Sequence, residues 1–108
     1  MIVTTTSSVE GARITEYIDL VSVNVVIGSN FLSDWKASVT DIFGGRSGTY
    51  QRKLDDAYEA ALKQIKRRAE KLGADAIVGM KMDFGEVSGK EKSMFMVSAV
   101  GTAIKLSK

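Results

Sequence analysis

The run Gly44-Gly45-Arg46-Ser47-Gly48-Thr49-Tyr50 stands just before a strongly helical pattern, and there residue type and spacing first suggest chemistry. Free N–H groups at a helix start, together with the positive end of the helix dipole, can hold a phosphate or a carboxylate. Arg46 would add a bidentate fork and Ser47 or Thr49 a hydroxyl. Asp41, Gly44, Gly45, Arg46, Ser47 and Thr49 are therefore the candidate ligand-binding residues. The run is not a P-loop, because that spacing and its Lys-Ser/Thr pair are missing. Its plainer account is a helix–helix turn, with Ser47 or Thr49 as a cap and Arg46 paired to Asp41 or to a neighbouring subunit.

Met80, Met82, Met94 and Met96 form a second group. A hairpin centred near Val87 and Ser88 would set Met80 opposite Met96 and Met82 opposite Met94, and four thioethers on one face could hold Cu(I). The commoner use of such residues is to fill a core or an interface. The hard-ion ligands are Asp19, Asp34, Asp41, Asp55, Asp56, Asp75, Asp83 and Glu86, and none falls in a calcium-loop spacing. A carboxylate site would need distant segments or several subunits. Lys63, Lys66, Arg67, Arg68 and Lys71 make a basic helix end, read as a solvated face that complements the dipole.

Absent residue types exclude more than the present ones suggest. The chain has no Cys, hence no disulfide, thiolate site or cysteine nucleophile, and no His, the commonest general base near neutral pH. A Ser-His-Asp or Cys-His arrangement cannot be built within one chain. The 108 residues carry 15 basic and 13 acidic side chains, and a net charge of +2 is too small to argue for nucleic acid. No apolar run approaches the ~20 residues of a membrane helix, and the first residues lack a signal-peptide pattern. The expectation is one domain, 1–108, cytoplasmic and without a cofactor. An apolar share of 44% is ordinary for a globular chain.

Several elements must position these residues. Residues 2–5 read as a short strand and 13–27 as a long Val/Ile-rich one. There Ile14, Ile18 and Leu20 share one parity and Val21, Val23, Val25 and Ile27 the other, so a bulge is expected near Leu20 and Val21. Phe31, Leu32, Trp35, Val39, Ile42 and Phe43 have helical spacing. From about 49 to 72, Leu54, Tyr58, Ala61, Leu62, Ile65, Ala69 and Leu72 make one apolar stripe, with Gly73 placed to close the helix. Residues 75–84 alternate, with Ala76, Val78, Met80, Met82 and Phe84 on one face, and 85–92 read as the hairpin connection. The last strand, 93–106, is apolar on both parities, which points to a second buried surface and thus to self-association.

Four ordered blocks carry a resemblance: Met1-Ile2-Val3-Thr4-Thr5-Thr6 with Val9-Glu10-Gly11; Asp41-Ile42-Phe43-Gly44-Gly45-Arg46-Ser47-Gly48-Thr49-Tyr50; Leu72-Gly73-Ala74-Asp75-Ala76-Ile77-Val78-Gly79; and Gly101-Thr102-Ala103. Over essentially its whole length the chain resembles the YbjQ-like family, which bears a heavy-metal-binding label. The resemblance implies a small α+β, dodecin-like subunit, helices packed on an antiparallel sheet, assembling into a pentameric ring in which short extra strands join neighbours. It implies no catalytic residue set. The expected function is that of a non-enzymatic homo-oligomer whose partner is itself. The alternative is a module binding a small anion or metal ion, at the 44–49 turn or between subunits. An enzyme using Lys, Ser, Thr or carboxylates ranks third.

Overall fold

The computed structural model describes residues 1–27, 45–88 and 93–107, apart from the side chains of 45–50, 87, 88 and 93. In chain order the elements are β1 (Ile2–Val3), β2 (Arg13–Ile27), α1 (Gly45–Lys71), β3 (Ala76–Ser88) and β4 (Ser93–Ser107). They form an α+β architecture: one helix on a four-stranded sheet of order β1-β3-β4-β2. β4 pairs antiparallel with both β2 and β3, while the short β1 lies parallel to β3 at the edge, making the sheet mixed. The helix expected over 31–43 falls outside the described residues.

α1 starts at Gly45, earlier than its apolar stripe suggested. Ser47 and Thr49 are thus third and fifth in the helix and do not cap it. The line that disappears into the core is Ala57, Ala61, Ile65 and Ala69, one residue per turn. Three alanines on that line let the helix backbone sit close to the sheet, with Leu54, Tyr58 and Leu62 half-buried at the margins. Leu72, expected on the stripe, is exposed, lying one residue past the end of the helix at Lys71. Gly73 at φ 78° closes the helix: its N–H donates to the Glu70 carbonyl at 3.0 Å, and the Ala74 N–H to Ala69 at 3.0 Å. This Schellman pair satisfies two carbonyls that a helix end leaves open.

β4 is the central strand and works on both faces. Phe95, Val97, Ala99 and Ala103 are buried, and the last three join Val21, Val23, Ile77, Met80 and the α1 line in the main core. Burying a side chain the size of Ile65 or Phe95 contributes about 1.5–3 kcal/mol. On the other face Ile104 joins Ala76 and Val78 in a second cluster, covered by Val9, Ile14 and Leu106. Part of the second apolar parity of β4 is therefore covered by the chain's own N-terminal loop.

Three departures from regular pairing set which side chain faces which way. β2 slips against β4 between Ile14 and Glu16 and again between Tyr17 and Asp19. The bulge expected near Leu20 and Val21 falls just before them, at the second slip, and Leu20 and Val21 themselves pair in register with Thr102 and Gly101. Two successive slips restore the original parity, so Leu20 stays exposed on the open face while Val21 and Val23 enter the core. The third departure lies in β3. Between the pairs Val78–Thr102 and Lys81–Val100, two residues, Gly79 and Met80, oppose the single Gly101. Gly79 takes φ 60°, and the alternation inverts there: Ala76 and Val78 belong to the second cluster, whereas Met80 and Met82 turn to the helix side. The expected single face of Ala76, Val78, Met80, Met82 and Phe84 is thus split in two.

Gly101 has no room for a side chain, because a Cβ there would lie 2.6 Å from Cγ2 of Ile77 and 3.4 Å from the Met80 backbone. We expect Gly101→Ala to cost about 1–3 kcal/mol through overpacking, read as a lower urea midpoint at unchanged slope. Unaltered stability would mean that the bulge relaxes at no cost.

Candidate functional site

Of the six candidate ligand-binding residues, Asp41 and Gly44 lie outside the described residues. Gly45, Arg46, Ser47 and Thr49 are in the first turns of α1, and only their backbone is described. Their chemistry therefore stands as read from the sequence.

The methionines are not a quartet. Met82 pairs with Ala99, Met96 with Gly85 and Met94 with Val87, five positions away from the expected register. β3 runs on to Ser88, so the connection shrinks from 85–92 to 89–92 and the pairing moves with it. Met80 is buried in the main core with Met82 packed against it, while Met94 and Met96 are half-buried and belong to neither core cluster. A residue and its strand partner share a face. Met96 pairs with exposed Val26, so the two methionine pairs lie on opposite faces of the sheet. Isolated Gly79 inside a strand pattern was the one sequence signal for this outcome.

The carboxylates are spread out, and several have structural tasks. Asp75 opens β3: its N–H donates to the Ile104 carbonyl at 2.8 Å, and its Oδ2 accepts the Leu106 N–H at 2.8 Å. Oδ1 of Asp19 accepts the Leu20 N–H at 2.7 Å, and Asp55 Oδ1 accepts from Gln51 Nε2 at 3.1 Å. Among the described residues no three His, Cys, Asp or Glu side chains gather as a metal would need. With no imidazole or thiolate in the sequence and the thioethers divided between faces, the described donor set does not fit a thiophilic heavy metal.

Three depressions lie among the described residues. One, of about 450 Å³, runs along the outside of α1 between Asp56, Glu59, Lys63 and Lys66, with charges of both signs. The basic helix end is thus interleaved with acid, and Arg68 reaches away to donate from Nη1 to the Ser22 carbonyl at 2.7 Å. A second, of about 540 Å³, lies under the N-terminal loop, where Ile2, Val9, Ala12 and Leu106 meet Glu10 and Asp75. The third, of about 570 Å³, borders the β3 bulge and is lined by Thr5, Gly79, Met80, Lys81 and Met82. They are surfaces suited to contact.

The helix and strands that build these surfaces occur together in known proteins. The chain is 20% identical to a protein of unknown function from Pediococcus pentosaceus ATCC 25745, assigned to the DUF74 family, whose crystal structure superposes with a TM-score of 0.69. The match covers 99% of this chain and 98% of that one, and it establishes the likeness of fold. A UPF0145 protein of Pasteurella multocida (strain Pm70) is 47% identical over 104 residues, covering 96% of this chain and 97% of the relative. A UPF0145 protein of Anoxybacillus flavithermus is 46% identical over 106 residues, covering 98% of each. These names assign no activity. The family model described as "Putative heavy-metal-binding" matches residues 1–107, and with relatives this similar over the full alignment the chain belongs to the YbjQ family.

Proposed function

We propose that this protein is a non-enzymatic, cytoplasmic homo-oligomer, a pentameric ring, whose binding surface is made by the assembly and not by one subunit. The observation that carries this reading is the shape of the subunit. β2 and β4 are each 15 residues long, about 50 Å of strand, and the molecule measures 56 × 26 × 19 Å.

The exposed apolar residues are in the right place for such burial. Tyr17 is 69% exposed, Leu20 67% and Val26 55%, all on the sheet face away from α1, beside half-buried Val100 and Met96. The subunit thus has a helix-covered face and a partly bare one, and a second copy is the partner this chain always meets. The ring and its five-fold count belong to the proposal and are what the YbjQ-like resemblance implies. Support for a non-enzymatic role is chemical: with no His and no Cys in the sequence, the commonest general base near neutral pH and the thiolate nucleophile are both missing. No helix among the described residues is long and apolar enough to cross a membrane.

A ligand- or ion-binding module is the second reading, favoured by the family's description and by the glycine-rich start of α1. Its site would use Asp41, Gly44, Gly45, Arg46, Ser47 and Thr49, or carboxylates from several subunits, and its ligand would be an anion or a hard, oxygen-preferring cation.

Native mass spectrometry of protein purified without chelator tests the first reading. We expect one discrete oligomer at micromolar concentration with no adduct retained, and a monodisperse monomer would defeat it. Equilibrium dialysis against Zn²⁺, Cd²⁺ and Cu(I), read by elemental analysis, tests the donor-set argument. Less than one ion per ring is expected, with the Met80→Leu/Met96→Leu variant indistinguishable from wild type. Stoichiometric uptake of any of the three would show that subunits combine ligands into a soft-metal site.

A further inference from the structure

The outer face of α1 carries charges whose signs reverse about a single residue. Ala61 is buried on the side of the helix that meets the sheet. At about 3.6 residues per turn, Glu59 and Lys63 lie on the opposite side, with further charged residues one and two turns beyond them. Reflected through Ala61, Glu59 falls on Lys63 and Asp56 on Lys66. In the same way Asp55 falls on Arg67 and Arg52 on Glu70. Every one of these pairs joins opposite signs, and all the side chains are exposed. The shallow depression of about 450 Å³ on this face has the same symmetry. It is lined in matched pairs by Asp56 and Lys66, Glu59 and Lys63, and Ala60 and Leu62.

Contacts along one helix do not account for this order. Arg52 with Asp56, Glu59 with Lys63 and Lys66 with Glu70 have the i, i+4 spacing, which rewards local alternation but sets no mirror point. The helix dipole favours Asp55, Asp56 and Glu59 ahead of Lys63, Lys66 and Arg67. It disfavours Glu70, a carboxylate in the last turn of a helix that ends at Lys71. What the order does satisfy is a second α1 laid antiparallel across the first. A two-fold axis passing through the level of Ala61 brings each residue against its reflection, so every pair forms twice. Half-buried Ala60 and Leu62 meet across the same axis and give the charged seam an apolar centre. A foreign partner would need this series in reverse, whereas a second copy presents it by turning around.

We propose that the outer face of α1 docks on the outer face of α1 of a second copy of this chain, antiparallel and two-fold about Ala61, held by ion pairs. The contact goes beyond the ring reading. Neighbours in a closed five-membered ring are related by rotation alone, which a two-fold contact cannot supply, so the contact joins subunits of two rings into one dihedral assembly.

Sedimentation equilibrium of the full chain at about 20 mM and about 500 mM NaCl reads the contact, because exposed ion pairs weaken as salt shortens the Debye length. The mass at low salt should be twice the mass at high salt. Two charge-swap variants, each with the wild-type net charge, test the register. Glu59→Lys/Lys63→Glu keeps opposite signs in every reflected pair and should still double. Glu59→Lys/Lys66→Glu sets like charges at the 59–63 and 56–66 contacts and should hold the high-salt mass at both ionic strengths. A wild-type mass independent of salt overturns the proposal, and so do two variants that behave alike. If circular dichroism shows that Glu59→Lys/Lys66→Glu does not fold, the single changes Glu59→Lys and Lys63→Glu take its place. Each alone should stay at the undoubled mass and their equimolar mixture should double, and a mixture that does not double sinks the contact. Failure of the ring reading looks different. A dimer at low salt that becomes a monomer at high salt keeps the helix contact and removes the ring, while a ring of constant mass does the reverse.

Discussion

Much of this architecture depends on one irregularity, the place where Gly79 and Met80 face the single Gly101. An extra residue in a strand inverts every side chain beyond it, and only a residue without a Cβ adopts φ 60° without a penalty of about 1–2 kcal/mol. The inversion sends Ala76 and Val78 to one side of the sheet and Met80 and Met82 to the other. β3 can thereby serve two cores, one under the helix and one under the N-terminal loop. Gly101 completes the arrangement from the opposite strand, since the Ile77 side chain occupies the space its Cβ would need.

A bulge leaves backbone donors unpaired, and the N-terminal tract answers that need. The Thr4 and Thr6 carbonyls accept from Met80 and Gly79, while the Thr4 and Thr6 hydroxyls bond one another at 2.8 Å and Thr6 Oγ1 donates to the Ser8 carbonyl at 2.7 Å. The strand expected over residues 2–5 is thus only Ile2–Val3, and the threonines that follow form a hydrogen-bonded turn that locks onto β3. The same tract blocks the first half of the β3 edge and brings Val9 over the second cluster. Fold, edge protection and the location of the open surface share one local cause.

Function in this chain is constrained more by what its side chains lack than by what they offer. Without imidazole or thiolate, heavy-metal chemistry falls to thioethers and carboxylates, and the fold separates the thioethers. The carboxylates whose contacts are described hold backbone N–H groups or neighbouring side chains. What the described residues do present is extended surface: long strands and a half-covered sheet face.

The sequence by itself determined the element types and most of their limits. Alternating Val and Ile marked β2 at Arg13–Ile27, the apolar stripe marked α1, and Gly73 marked its end, because these signals are local and one element long. Composition likewise settled which chemistries are closed to the chain. Register was decided only by the tertiary structure. A pattern of period two looks the same for any pairing, so the methionine alignment, the slips beside Thr15 and Ile18 and the face change at Gly79 could not be told from parity alone. Which partners the edge groups find was likewise invisible, since Arg68 meets Ser22 across 46 residues and Thr4 reaches Ile77 only once the strands are paired. Side-chain type is written along the chain, whereas the partner each backbone group finds is a property of the assembled sheet.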